Sequence, residues 1–243
     1  MNMGSKSMAG RASGPNICAL IPAYCEAAAV GRVVEVIRGL SLPVLVVDDG
    51  STDDTAHVAE RAGARVVRHE RNRGKGAALQ TGFRTLIADG HWTGVVTLDA
   101  DGQHDPAEIP KFVAAFRRTA IPVLIGNRLW DPVGMPRIRW WTNRYMSWLL
   151  SREMGQYIPD TQCGFRFFRA DLLPHVEIRA TRFAAESEIL LHLAARGVRM
   201  DSVRIRSIYG RERSEIHPLA DTIRFYRMLY EWRRRHPRRR LSA

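Results

Sequence analysis

The sequence predicts an α/β fold built on a mainly parallel sheet covered on both faces, and three observations carry that prediction. Short β-branched or apolar runs alternate with helical patterns from Ile17 to Gly126. Polar clusters follow the apolar runs, at the strand ends where open parallel sheets gather their ligands. The 243 residues are 45% hydrophobic, enough to bury one sizeable core.

The elements follow in order. Ile17 to Ile21 reads as a strand, Ala28 to Leu40 as a helix, Val44 to Val47 as a strand and Asp53 to Ala62 as a helix. Arg65 to Arg68 continues as a strand, Lys75 to Ala88 as a helix and Val95 to Leu98 as a strand. A helix opens at Pro106, since Pro106 and Pro110 sit where a first turn tolerates proline, and Pro122 to Ile125 is the next strand. Helical crossovers between strands imply parallel neighbours. Beyond Gly126 the pattern changes to an amphipathic helix over Arg137 to Met154, a strand over Phe165 to Phe168 and a helix over Ala185 to Ala195. A strand over Arg199 to Ile208 and a last helix from Pro218 to Arg234 complete the series.

Three segments follow: a polar, Gly/Ser-rich tail over 1–15 with no apolar signal-peptide core, a main domain over 16–216, and a C-terminal amphipathic helix with a basic tail over 217–243. The net charge of +12 draws the molecule toward polyanions, whether nucleic acid, anionic headgroups or phosphorylated substrates. Cys18, Cys25 and Cys163 match neither a zinc site nor a disulfide framework and are expected to be structural thiols in a reducing compartment. No apolar run reaches bilayer-spanning length, so any membrane contact is expected to be peripheral and from the cytoplasmic face.

The chemistry concentrates at strand ends. Asp99 and Asp101 flank a small residue just after an apolar strand, so a turn can aim both carboxylates, with Gln103, at one hard cation such as Mg2+ or Mn2+. A lone Asp-x-Asp is more often a solvated turn. The run Asp99 to Glu108 and two further acidic strand-end clusters reverse those odds. In Asp48-Asp49-Gly50-Ser51-Thr52-Asp53 a tight turn and helix cap account for Ser51 or Asp53, and leave Asp49 free to contact a base or ribose. Arg73-Gly74-Lys75-Gly76 puts glycines and a lysine at a helix start, which suits a phosphate, although for the motif in isolation a plain glycine-rich helix entry is the better reading.

The series Pro22-x-Tyr24-x-Glu26, Asp48-Asp49-Gly50-Ser51, Arg73-Gly74-Lys75-Gly76 and Asp99-Ala100-Asp101-x-Gln103 resembles family 2 glycosyltransferases of the dolichol-phosphate mannose synthase branch. The likeness runs on through Gly126-Asn127-Arg128, Asp160 to Arg166 and Tyr209 to Ser214, covering roughly residues 16 to 225. It implies a GT-A fold and an inverting transfer of a hexose from a nucleotide-sugar donor to a polyprenyl or dolichyl phosphate. By the same resemblance Pro22, Tyr24, Glu26, Val47, Asp49, Lys75, Asp99 and Ala100 line the nucleotide-sugar pocket, and Arg211 and Arg213 close over the phosphates. Asp99, Asp101 and Gln103 serve the metal. Asp101 and Arg128 stand at the transferred centre, and Arg144 and Arg166 face the acceptor. Asp160 either orients the acceptor, acts as a base, or fills an ordinary turn role. Arginine beside the serine of the Tyr209 to Ser214 loop, and Cys163 before Gly164-Phe165-Arg166, depart from the family pattern and leave donor and acceptor identity open.

Trp141, Tyr145, Trp148 and Leu149 recur at helical spacing beside Arg137, Arg139, Arg144 and Arg152, as they would on an interfacial helix or on a core stripe packed against the sheet. The last helix and its arginine-rich tail repeat that theme, so the expected partners are a membrane surface and, beyond it, a separate membrane-embedded protein. Transfer to a soluble or glycolipid hydroxyl is the alternative within the same fold. A nucleic-acid-binding module would explain the charge but none of the strand-end carboxylates, so no specific nucleic acid is expected. A sugar nucleotidylyltransferase would need a longer glycine-rich loop after the first strand.

Overall fold

Alternating runs of branched apolar residues become seven strands in the computed structural model, which describes residues 16–176, 178, 184–206, 208 and 218–236. They are β1 (Ile17–Ala23), β2 (Val44–Asp48), β3 (Arg65–Arg68), β4 (Gly94–Thr97), β5 (Val123–Asn127), β6 (Arg166–Arg169) and β7 (Met200–Arg204). One sheet takes them in the order β3-β2-β1-β4-β6-β5-β7. All neighbours run parallel except β6, which is antiparallel to both β4 and β5. The mainly parallel α/β prediction therefore holds, with the one reversed strand inserted between β4 and β5.

The helices are α1 (Val30–Gly39), α2 (Thr55–Arg61), α3 (Lys75–Asp89), α4 (Ile109–Thr119), α5 (Arg137–Met154), α6 (Ala184–Ala195) and α7 (Pro218–Arg235). Each central strand is buried because helices cover both faces. Val30, Val33, Val34 and Ile37 place one apolar stripe of α1 into the core, at helical spacing. In β6 the period of two sends Phe167 toward Phe116 of α4 and Phe168 toward Phe83 of α3, with ring centroids 4.6 Å and 5.8 Å apart. Gly82 lets α3 lie directly on β1, since a Cβ there would sit 2.3 Å from Leu20 Cδ1.

Boundaries moved by a few residues where local chemistry intervened. The helix expected from Pro106 begins as a 3₁₀ turn over Pro106–Glu108, capped by the Asp105 carboxylate accepting from the Ala107 amide at 3.0 Å. The strand expected to Ile208 stops at Arg204, and the chain then turns so that the Ile208 amide donates to Gln103 O at 3.0 Å. The helix expected over Arg137 to Met154 has those bounds, ended by Gly155 at φ +67. Phe225, Met228, Leu229 and Trp232 of α7 join the main hydrophobic core, so this helix packs as part of the same body.

Candidate active site

The carboxyl ends of β1, β2 and β4 and the loop entering β6 converge on one rim. After β1, Tyr24 is 44% exposed, and Cys25 takes a left-handed φ of +54 stabilised by its amide donating to Ser51 Oγ at 2.9 Å. The Glu26 amide donates to Thr55 Oγ1 at 2.8 Å and the Ala27 amide to Asp53 Oδ2 at 3.1 Å, which ties this loop to the start of α2. Pro22 is buried inside β1, while in the loop after it Tyr24 is exposed and Glu26 half-buried. Cys25 is exposed, so the expectation of three structural thiols holds only for buried Cys18 and Cys163, each pushed up to about 12 by burial.

Asp49 is not the free carboxylate expected from the turn. It is 3% exposed, and its oxygens accept from His69 Nδ1 at 2.6 Å, from the Arg73 amide at 3.0 Å and from the Gly74 amide at 2.6 Å. A buried carboxylate needs such donors, and here they pin the loop that opens α3. Two other expectations are corrected by burial: the side chains of Val47 (0% exposed) and Ala100 (3%) belong to the core, not to a pocket wall.

At the end of β4, Asp99 bonds to the Lys75 ammonium, which also reaches Glu186 Oε1 at 2.8 Å. Lys75 thus faces two carboxylates at the start of α3, the position expected to suit a phosphate. Burial alone would lift the Asp99 carboxyl, but Lys75, then His104 and Arg128, hold it down at about 2. Asp101 is the opposite case: burial, reinforced by the charge of Asp99, raises its pKa. Asp101 Oδ1 accepts from the Gln103 amide at 2.9 Å, and no cationic side chain among the described residues forms an ion pair with it. Two adjacent, partly buried carboxylates, only one of them bonded to a cation, suit a hard divalent cation. Among the described residues no third His, Cys, Asp or Glu completes a ready-made metal cage. The donor set fits an ion that takes its remaining oxygens from a diphosphate and water.

Arg128, directly after β5, is 6% exposed and grips Asp160: Nε to Oδ2 at 2.8 Å, Nη2 to Oδ1 at 3.1 Å, and the Arg128 amide to Oδ2 at 3.1 Å. Asp160 is fully buried rather than an exposed turn residue, and both its oxygens already hold a guanidinium. Arg166 is likewise removed from the acceptor side. It is 1% exposed and donates to the carbonyls of Cys163 at 2.8 Å, Glu186 at 2.6 Å and Thr161 at 2.9 Å, knitting the entry to β6 onto α6. Arg144 is exposed and lies over the Trp140 ring, 5.4 Å from its centroid. Arg211 and Arg213 lie outside the described residues.

Sequence reasoning gave Glu186, His104 and Arg139 no part in the site. Glu186 and Glu188 near a helix start were a signal that went unused. Buried His104 stands 3.7 Å from both Asp99 Oδ2 and Cys163 Sγ, and burial, opposed by Asp99, lowers its pKa to about 4, so the ring is neutral near pH 7. Arg139, in the first turn of α5, is close enough for its charge to favour ionised Asp101. Beside that turn opens a cavity of about 490 Å³ lined by Pro132, Met135, Arg137, Trp140 and Trp141.

The face of α5 turned to solvent carries Ile138, Trp141, Tyr145 and Trp148, while Met146, Leu150 and Met154 face the core. The Tyr226 hydroxyl of α7 meets the Tyr145 hydroxyl at 3.1 Å, so exposed Ile223, Tyr226 and Tyr230 extend the same surface. Of the tail arginines, Arg233 pairs with Glu153, and Arg235 with Glu231 and Glu188. No helix among the described residues is long and apolar enough to cross a membrane.

Comparison with known proteins gives this rim its relatives. Residues 18–176 match the family described as Glycosyl transferase family 2. A UDP-N-acetylglucosamine–dolichyl-phosphate N-acetylglucosaminyltransferase of Methanococcus voltae is 28% identical over 78% of this chain and 84% of its own. An undecaprenyl-phosphate mannosyltransferase of Micrococcus luteus is 32% identical over 68% of this chain and 70% of its own. Among solved structures, glucosyl-3-phosphoglycerate synthase from Mycobacterium tuberculosis, crystallised with Mn2+, UDP and phosphoglyceric acid, superposes with a TM-score of 0.70 at 24% identity, over 91% of this chain and 78% of that one.

Proposed function

Because the chain belongs to glycosyl transferase family 2 and is therefore a glycosyltransferase, we propose that it moves a hexose, with inversion, from a nucleotide sugar to a polyprenyl or dolichyl phosphate. The observation that carries this reading is Asp101 at the end of β4, a partly buried carboxylate beside ionised Asp99 with no cationic ion-pair partner among the described residues. Asp101, with Asp99 beside it, would hold Mg2+ or Mn2+. When bound, that ion neutralises charge developing on the departing nucleoside diphosphate.

The remaining roles fall to the chain itself. Pro22, Tyr24 and Glu26 would border the nucleoside along the rim. Asp49 contributes indirectly, by fixing the Arg73–Gly74 turn behind it. Arg128, held by Asp160, would bring positive charge close to Asp99 and the reacting centre. Asp160, its carboxylate occupied, offers no ready base, which favours an acceptor that arrives ionised, as a lipid phosphate does, over a neutral hydroxyl. Arg139, whose charge reaches Asp101, and the neighbouring cavity walled by Trp140 and Trp141 would receive such an acceptor. Exposed aromatics of α5 and α7 flanked by arginines support contact with a membrane surface, which would be its cytoplasmic face.

The test is transfer from a panel of GDP- and UDP-sugars to extracted polyprenyl phosphate, with Mg2+ or Mn2+ and with EDTA. Metal-dependent lipid-linked product is expected from the wild type and none from Asp101→Asn, whose fold should be nearly unchanged. Full activity of Asp101→Asn would contradict the reading. Product on hydroxyl acceptors alone would transfer it to the soluble or glycolipid alternative.

A further inference from the structure

The ammonium of Lys75 already occupies one flank of the acidic pair. It bonds Asp99 and reaches Glu186 Oε1 at 2.8 Å, which places a fixed positive charge against Asp99. Glu186 is itself held in place: its carbonyl accepts from Arg166 Nη1 at 2.6 Å, and Oε2 lies 3.7 Å from Arg166 Nη2. The approach of the two carboxylates depends on Gly164, where a Cβ would lie 3.0 Å from both Asp99 Oδ2 and Glu186 Oε1. Asp101 stands outside this arrangement, bonded through Oδ1 to the Gln103 amide.

A divalent ion that bound Asp99 fully would have to share it with, or displace, a lysine anchored at its other side by Glu186. Asp101 is bonded to no cationic side chain among the described residues, and the charges of Lys75 and Arg139 reach it only from a distance, so an ion bound there displaces none. We propose that Lys75, held by Glu186, is a tethered counter-ion that keeps Asp99 out of the divalent ion's inner ligand set and leaves Asp101 as the carboxylate that takes it. Asp99, Lys75 and Glu186 are then positioning residues. Asp99 adds negative charge at one remove, and Lys75 limits how much of it the ion meets. This inference rests on the metal role proposed above.

The probe is Mn2+ alone, titrated against the full chain and followed by the electron paramagnetic resonance of the free ion, so that no turnover is needed. Asp101→Asn should weaken binding about tenfold or more, whereas Asp99→Asn should stay within about threefold of wild type. Lys75→Met, confirmed folded by circular dichroism, should tighten binding about tenfold, and adding Asp99→Asn to it should abolish that gain. A purely structural lysine would lower the melting temperature of Lys75→Met and leave its Mn2+ affinity flat. Equal losses in Asp99→Asn and Asp101→Asn would overturn the proposal, as would a folded Lys75→Met with unchanged or weaker binding. Should Lys75→Met not fold, the comparison of the two aspartate variants decides alone. Mn2+ binding by Asp101→Asn equal to wild type would instead remove the metal reading itself, and the proposal with it.

Discussion

Arginines behind the catalytic rim and arginines on the outer face of α5 are the same residue put to opposite uses. Arg128 and Arg166 are 6% and 1% exposed and spend their donors on Asp160 and on three backbone carbonyls. Arg144 and Arg152 stay in solvent and lie over the rings of Trp140 and Trp148, with no buried acid to answer. A guanidinium inside the body stabilises by satisfying groups that water cannot reach, so removing its partner is costly. On the surface it adds charge to an aromatic face at little consequence for folding. The molecule thus keeps its buried guanidiniums in one place and its exposed ones in another.

That contrast can be broken from its strongest side first. Asp160→Ala leaves Arg128 sealed without its carboxylate and should cost about 3–5 kcal/mol, read as a fall in urea midpoint. A cost below about 1 kcal/mol would mean the pair is not the brace described. Gly164→Ala forces a methyl against Asp99 and Glu186 and should cost about 1–3 kcal/mol by the same measurement. The outer face should behave differently. Trp141→Ser combined with Trp148→Ser should change stability by less than about 1 kcal/mol, yet reduce sedimentation with anionic vesicles several-fold. Undiminished vesicle binding would take the membrane role away from α5. Smallest of all, Tyr226→Phe loses only an exposed hydroxyl contact with Tyr145 and should stay within about 0.5 kcal/mol of wild type.

The same division explains what the sequence revealed. Strands and helices were legible because their signals are local: the apolar runs of β1 and β2, the stripe of α1, and Gly155 closing α5 each announce an element within a few residues. The strand-end position of Asp99 and Asp101 followed from that syntax. Partnerships did not, because which loops meet is decided by the order of strands in the sheet. Asp49 meets Gly74, Lys75 meets Asp99 and Arg128 meets Asp160 across 24 to 32 residues of chain. Asp49, Asp160 and Arg166 therefore looked available to a ligand when each was already taken. For α5, helical spacing could not tell an inward aromatic stripe from an outward one. Met146, Leu150 and Met154 on the opposite face decide it.

The reversed direction of β6 has a consequence for anyone annotating related chains. Every parallel strand delivers its working residues just downstream of itself, but β6 arrives at the shared rim with its front end, so Asp160 to Phe165 contribute from upstream. The stretch just after it, Ala170–His175, emerges at the opposite pole of the sheet. A fluorophore or affinity handle grafted there would report on the enzyme from the side its substrates do not visit.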